Sequence, residues 1–93
     1  MVYMETNTLC LKIDANNVIS DLKQAEESLD ARQELALDFS GVTRIDSAGL
    51  EALQSFAHRT EEKKTKVALR GVDINVYKTL KLARLTPRFS FEN

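Results

Sequence analysis

The hydrophobic period of this chain changes abruptly within residues 35–60, and this change restricts the possible folds more than any other feature. Leu35, Leu37 and Phe39 alternate with smaller or polar residues, and such a period of two is typical of a strand. Beyond Gly41, apolar residues recur instead at the spacing of an amphipathic helix. A strand that passes into a helix through one short turn is the building unit of α/β folds.

The same alternation of strand and helix extends along the rest of the chain. The predicted strands are Thr8–Ile13, Leu35–Ser40 and Val67–Arg70, and Phe89 and Phe91 are expected to form a short final strand at the lower edge of the core. The predicted helices run from Val18 to about Leu29, from Ser47 to about Thr60, and from a cap at Asp73 to Thr86-Pro87. This order predicts parallel strands joined by right-handed crossovers.

The connections and the core follow from the same patterns. Asp14–Asn17 is expected to form a turn that caps the first helix, and Glu61–Lys66 to form a solvated connection. In the third helix, Val76, Tyr77, Leu80 and Ala83 are expected to point inward. The residues predicted to be buried together are Leu37, Phe39, Ile45, Leu50, Leu53, Leu69 and Leu80.

Length and composition exclude several classes of protein. Ninety-three residues suit a single domain, in which residues 1–7 would be a loose lead-in. With a net charge of −1, the chain lacks the excess of positive charge that nucleic-acid binding requires. Met1–Glu5 lacks the apolar core of a signal peptide, and no apolar run approaches the roughly 20 residues of a membrane span. With a single cysteine, Cys10, the chain fits a reducing compartment, so we expect a cytoplasmic protein without membrane insertion.

The junction between the second strand and the second helix is the candidate functional site. Asp46 or Ser47 is expected to offer a side-chain oxygen to the free amides at the start of the helix. Gly49 is a poor helix former in the first turn, which predicts close approach of another backbone or of a partner.

Searches for an enzyme site lead to none. Ser47 and His58, the only histidine, are eleven positions apart on one predicted helix, roughly 16 Å at 1.5 Å per residue. That separation is far beyond the hydrogen-bond contact that a nucleophile and its base require. One histidine and one cysteine do not make a metal cluster, and three glycines in no phosphate-binding spacing predict no cofactor. We therefore predict that the chain is not an enzyme.

The run from Leu35 to Leu50, LALDFSGVTRIDSAGL, resembles the core motif of STAS domains, the small α/β modules of bacterial anti-sigma factor antagonists. The stretches 67–72 and 76–85 resemble the third core strand and the following helix of the family, so the likeness covers roughly residues 35–89. Arg44 stands where an apolar residue is common in the family, and Ala48 where many relatives carry a second serine. The resemblance implies a single STAS domain over 1–93, with a mostly parallel four-stranded sheet and helices packed largely on one face.

The resemblance also implies a function. The family's serine in the Asp-Ser-x-Gly-Leu motif is Ser47 in this chain, and an ATP-binding serine kinase that is also the anti-sigma factor would phosphorylate it. A PP2C-type phosphatase would remove the phosphate. A free domain would be a monomer. The predicted partner-binding residues are Thr43, Asp46, Ser47, Ala48, Gly49, Glu51, Gln54, Ser55 and His58.

Three alternatives remain open from the sequence. Ser47 would, in the simplest case, only cap the helix. Other stand-alone STAS domains are non-phosphorylated regulatory subunits of lipid-transporting ABC ATPases, and residues 71–82 resemble theirs. A third group consists of STAS output modules of chemotaxis or two-component kinases.

Overall fold

A computed structural model describes residues 8–29 and 34–92, which form one sheet and three α-helices. The strands are β1 (Thr8–Lys12), β2 (Glu34–Asp38), β3 (Lys66–Arg70) and β4 (Ser90–Glu92). The helices are α1 (Val18–Glu27), α2 (Ser47–Lys63) and α3 (Ile74–Leu82), followed by a 3₁₀ turn at Thr86–Arg88. The predicted lead-in at residues 1–7 and most of the connection at 30–34 lie outside the described residues.

The four strands lie in the order β1-β2-β3-β4, and every neighbouring pair is parallel. The register aligns Leu11, Leu37, Leu69 and Phe91 in one row across the sheet. Each helix connects one strand to the next along the same sheet, as the alternating order of elements predicts. The predicted α/β fold is therefore confirmed, with a sheet that is parallel throughout.

One face of the sheet carries the hydrophobic core and the opposite face carries charged and small side chains. The core face presents Leu9, Leu11, Leu35, Leu37, Val67, Leu69 and Phe91, which are in the core or packed against it together with Leu22, Leu53, Val76 and Leu80 of the three helices. The opposite face presents Cys10, Lys12, Ala36, Asp38, Arg70 and Glu92, and most of these side chains are exposed. The helices thus pack on one face, as expected.

The charged residues of the open face alternate in sign across its upper row. Lys12, Asp38, Arg70 and Glu92 are register partners on successive strands, and Arg70 Nε lies 3.1 Å from Glu92 Oε1. The backbone N–H and the hydroxyl of Ser40 hydrogen-bond to Asp38, and with the nearby positive charges of Lys12 and Arg70 they lower the pKa of this carboxyl. Each charged side chain of the row therefore lies beside residues of opposite charge, which favour its ionised form.

The core differs from the predicted set at its edges. Leu37, Phe39, Leu53, Leu69 and Leu80 are fully buried as predicted. Ile45 and Leu50 are only half-buried and pack against the rim of the core, because they lie in and just after the turn at one end of the domain. The fully buried Val42 takes the place that Ile45 was expected to hold, since its amide bonds the Phe39 carbonyl at 2.9 Å and pulls the turn inward.

Tyr77 is a further correction, because its side chain is exposed rather than inward. Its ring packs edge-on against Phe91, with centroids 5.2 Å apart. An edge-on contact leaves one end of a tyrosine in water, where the hydroxyl needs no buried partner. Ala83 is half-buried, and Leu85 supplies the core contact at this end of α3.

Two helix ends were predicted wrongly. The second helix runs to Lys63 instead of Thr60, because Glu61, Glu62 and Lys63 are good helix formers and nothing interrupts them before Lys64, which adopts φ +55°. The third helix ends at Leu82, before Pro87. There Arg84 takes φ +61° and the Leu85 amide bonds the Leu80 carbonyl at 2.9 Å, which closes the helix by a left-handed C-terminal turn.

The turn before α1 is held by Asp14 rather than by a side-chain cap. Asn17 occupies the cap position, but its side chain makes no capping hydrogen bond. Asp14 Oδ1 accepts from the Asn16 amide at 2.9 Å, and the Asp14 amide donates to Asp21 Oδ2 at 2.8 Å. The predicted turn at 14–17 is present and supplies the cap residue Asn17, but this residue makes no side-chain capping hydrogen bond.

Candidate functional site

Buried residues anchor the first part of the turn between β2 and α2, and an exposed segment follows them. Phe39 and Val42 are fully buried, whereas Thr43 and Arg44 between the anchor and the helix are exposed. The buried side chains fix the position of the backbone, while the polar side chains that follow them stay in solvent. Such a rigidly anchored but exposed turn is suited to contact with another protein.

Asp46 is the residue that caps α2. Its backbone is extended, with φ −87° and ψ −179°, and its Oδ1 accepts from the Gly49 amide at 2.8 Å. The Leu50 amide donates to the Asp46 carbonyl at 2.8 Å, which begins the helix. The sequence left Asp46 and Ser47 open as caps, and the structure resolves this in favour of Asp46.

Ser47 is therefore the first residue inside the helix, not its cap. Its side chain is exposed, and within residues 8–29 and 34–92 its hydroxyl has no hydrogen-bond partner among the protein atoms. The first turn of a helix carries a partial positive charge and free amides, which stabilise an anion placed there. The cap position thus belongs to Asp46 and not to Ser47, and phosphorylation of the Ser47 hydroxyl stays a prediction.

Gly49 is buried within the fold, and the close approach expected there is to side chains of its own chain. A Cβ atom at this position would lie 3.1 Å from Ile45 Cγ2 and 3.2 Å from the capping oxygen Asp46 Oδ1. Both distances are tighter than an ordinary van der Waals contact. Gly49 thus permits the cap to form, and its part in partner contact stays a prediction.

Removing the capping carboxylate should destabilise the domain, whereas removing the serine hydroxyl should not. We expect Asp46→Ala to lower the free energy of unfolding by about 1 kcal/mol, because the Gly49 amide loses its acceptor. Ser47→Ala is the matched control, and it should change stability by less than about 0.5 kcal/mol, as exposed positions usually do. Urea unfolding followed by circular dichroism measures both. The reverse ranking would show that Ser47 is the cap.

A side chain at position 49 should disturb the cap. By helix propensity alone, replacing glycine should raise the free energy of unfolding, by about 1 kcal/mol with alanine and by less with valine. The contacts with Ile45 and Asp46 oppose this gain, so we expect Gly49→Val to lower the free energy of unfolding by about 1 kcal/mol or more. The control is Ala48→Val, an equally branched side chain on the exposed neighbouring position. Equal urea midpoints for the two variants would remove this explanation for the glycine.

The predicted partner-binding residues form one surface on the turn and the outer side of α2. Eight of the nine are exposed, namely Thr43, Asp46, Ser47, Ala48, Glu51, Gln54, Ser55 and His58, and Gly49 is the buried exception. We refer to the eight as the switch surface. His58 Nε2 lies 3.5 Å from Glu62 Oε2, one turn further along the helix. The topology thus brings these residues to one side of the domain, as the helical spacing predicts.

A cleft beside the turn was not foreseen from the sequence. It has a volume of about 640 Å³ and lies between the start of α1 and the segment 44–49, with Lys23, Arg44 and Asp46 among its lining residues. Lys23 and Arg44 are far apart in sequence, and no local pattern indicates that they share a cleft. Only the parallel pairing of β1 with β2 brings the two connections side by side.

The described residues contain neither a metal-binding cluster nor a helix suited to cross a membrane. Within them, no group of three His, Cys, Asp or Glu side chains is placed to hold a metal ion. Ser47 and His58 both lie on α2, so the distance argument against a nucleophile and base stands. None of the helices in this part of the chain combines the length and apolar character that crossing a bilayer requires.

The chain was compared with known proteins. The STAS domain family profile matches residues 8–93. The fold is similar to a protein of Thermotoga maritima assigned as an anti-sigma factor antagonist, with a TM-score of 0.72 and 15% identity, over 98% of this chain and 83% of that one. It is also similar to a sulfate transporter family protein of Wolinella succinogenes, with a TM-score of 0.75 and 22% identity, over 96% and 80% of the two chains. No curated protein matches the sequence.

Proposed function

Because this chain belongs to the STAS domain family, we propose that it is a regulatory protein of the anti-sigma factor antagonist type, acting in a partner-switching cascade in the cytoplasm. Unphosphorylated, it binds an anti-sigma factor that is also an ATP-binding serine kinase, and the sigma factor is released. Phosphorylation of Ser47 ends this complex, and a PP2C-type phosphatase restores it. ATP and Mg²⁺ belong to the kinase, and this chain contributes the acceptor hydroxyl and the docking surface.

The observation that carries this proposal is the free, exposed hydroxyl of Ser47 on the first residue of α2. Asp46 already provides the cap, so a phosphate on Ser47 leaves the helix start intact. The phosphate adds about −1.5 to −2 charge at the positive end of the helix dipole, next to the Asp46 carboxylate. The domain therefore keeps its fold while its switch surface gains negative charge, which opposes a partner that binds the unphosphorylated form.

Other properties agree with a protein-binding role for a free monomer. The net charge of −1 provides no electrostatic basis for binding nucleic acid. The switch surface consists mostly of polar and charged side chains, as expected for a complex that forms and dissociates rather than for a permanent interface.

A second function rests on residues 71–82, which resemble a stretch of the non-phosphorylated STAS subunits described above. In this alternative the domain is a regulatory subunit of a lipid-transporting ABC ATPase, and the switch surface holds the ATPase without phosphorylation. The stretch at residues 71–82, which resembles that of such subunits, comprises the start and body of α3.

Mass spectrometry of the protein from its own host separates the two functions. The antagonist function predicts a species heavier by one phosphate under some growth condition, and co-purification of a serine kinase. The transporter function predicts a single unmodified mass and a stable complex with an ATPase that is not a protein kinase. Unmodified protein under every condition, with no kinase among its partners, would overturn the first proposal in favour of the second.

Charge reversal at the rim of the switch surface should slow association with the partner. Glu51 is exposed one turn after Ser47, and charges at such a rim act mainly on the encounter rate. We expect Glu51→Lys to change the association rate at low salt by several fold, with a smaller effect at high salt. Glu27→Lys on α1 is the matched control. Loss of binding by the control variant and not by Glu51→Lys would place the docking surface on α1.

A further inference from the structure

Helix α3 has apolar side chains on both of its sides, and the fold explains only one. Val76 and Leu80 are fully buried in the core. On the outer side, Ile74 is 66% exposed and Leu82 is 87% exposed, the two most exposed large apolar side chains of the described residues. Solvent exposure of an isolated apolar residue is ordinary, whereas two such residues on the outer side of one nine-residue helix are candidates for contact with another molecule.

The charges on this side of α3 have one sign. On the helical wheel, Lys78 lies between Ile74 and Leu82 and Lys81 lies next to Ile74 on its other side, and both lysines are exposed. Among the ion pairs of residues 8–29 and 34–92, none includes Lys78 or Lys81. Asp73, the nearest carboxylate along the chain, caps the helix by accepting from the Asn75 amide at 2.8 Å. We call Ile74, Lys78, Lys81 and Leu82 the outer α3 face.

Arg84, just beyond the end of α3, is a third cation near this face, and its backbone conformation is unfavourable for a residue with a Cβ. Arg84 has φ +61° at the helix end, where glycine is the favoured residue because it has no Cβ. Its side chain lines a groove of about 360 Å³, together with Gln54 and His58 of the switch surface. The groove contains none of the four residues of the outer α3 face, but it places Arg84 between the end of α3 and the switch surface.

These observations favour a protein over the other possible occupants. A second copy paired antiparallel on α3 would bring Ile74 onto Leu82 of the other copy only by placing Lys78 against Lys78, which is repulsive. A lipid surface would meet two apolar side chains and a few cations, too little for stable anchoring. An amphipathic helix with acidic flanks satisfies both the apolar and the cationic residues.

We propose that the outer α3 face is a second docking surface, separate from Ser47, that binds an acidic amphipathic helix of a partner protein. Ile74 and Leu82 are its apolar anchors, about 12 Å apart along the helix at 1.5 Å per residue. Lys78 and Lys81 pair with the acidic flanks and set the orientation.

Photo-crosslinking in host cells tests this proposal. The photoreactive residue p-benzoylphenylalanine replaces Leu82 in one strain, Glu51 in a second, and the exposed Lys66 of β3 as a control in a third. We expect the Leu82 site, but not the Lys66 site, to give a protein adduct whose crosslinked peptide carries Asp or Glu. Adding Lys78→Glu and Lys81→Glu should reduce its yield at least fivefold, while Lys63→Glu with Lys66→Glu should not.

Four results would overturn the proposal: no adduct at position 82, an adduct only with lipid, an adduct only with a second copy, or a yield that survives the charge reversal. Circular dichroism and urea midpoints of the purified variants verify that the charge reversal leaves the domain folded. Arg84→Gly provides a further readout, because it should raise the urea midpoint while it lowers the adduct yield. The Glu51 site reports on the switch surface alone, so an adduct there and none at position 82 rejects the second surface without affecting the proposed function.

Discussion

Incubated with its kinase and ATP, the wild-type domain should gain one phosphate and the Ser47→Ala variant should gain none. This is the largest effect that we expect from a single atom in the chain, because the variant loses the acceptor hydroxyl and nothing else. Ser47 is exposed and does not cap the helix, so alanine there should leave the fold and the kinase complex unchanged. Intact-mass spectrometry counts the phosphates, and calorimetry measures binding of the kinase.

Two matched variants make this result specific. Ser55→Ala removes an exposed hydroxyl elsewhere on the same helix and should still gain the phosphate. Ser47→Asp should remain folded, since an acid in the first turn is favoured by the helix dipole, but should bind the kinase more weakly. The weakening should be partial because a carboxylate carries less charge than a phosphate. Phosphate on Ser47→Ala, or none on the wild type with a kinase that binds it, would reject Ser47 as the site.

Truncation of Leu53 should have the largest effect on stability. Its side chain is fully buried in the centre of α2, among core residues of the sheet. Leu53→Ala removes apolar contacts and leaves a cavity, which costs about 2–5 kcal/mol. Domains of this kind are stable by about 5–15 kcal/mol in total, so the variant should be near the limit of folding. Urea unfolding at 25 °C measures the difference.

The neighbouring Gln54→Ala is the control for this experiment. Gln54 is exposed on the same helix, so its truncation should change the free energy of unfolding by less than about 0.5 kcal/mol. A loss below that value for Leu53→Ala as well would mean that α2 does not pack as described. If Leu53→Ala is unfolded in water, Leu53→Val gives a measurable smaller loss.

Local patterns were enough to predict the element types and their order. Leu35, Leu37 and Phe39 alternate with other residues because one face of β2 is covered by helices. This period of two can be recognised in the sequence without knowing which elements pack on the strand. Asp73 was identified correctly as the cap of α3, because a short acidic side chain before an amphipathic stretch has few other roles. The position of Ser47 at the start of α2 follows in the same way from the change of period.

Features that depend on tertiary contacts were not predictable. Asp46 and Ser47 are both good capping residues, and only the backbone path, extended at Asp46, decides between them. Val42 is buried in place of Ile45 because the turn closes onto Phe39. Helix α3 ends where Arg84 adopts a left-handed backbone conformation. This conformation is sterically unfavourable for a residue with a Cβ, so nothing in the local sequence predicts it.

The strand order β1-β2-β3-β4 has a consequence for how the domain is made. Each strand pairs only with the one synthesised just before it and the one synthesised just after it, so a ribosome delivers the sheet in the order in which it is assembled. No strand has to be inserted between two others that are already paired, and each pairing joins strands that are consecutive in the chain, which limits the loop-closure entropy of each step. Until residues 90–92 have emerged, β3 forms the open edge of the growing sheet, and Phe89, which stacks on Phe56 at 6.2 Å, has not yet joined the core. During synthesis, the pairing of β4 therefore covers an edge of β3 that could otherwise pair with another chain.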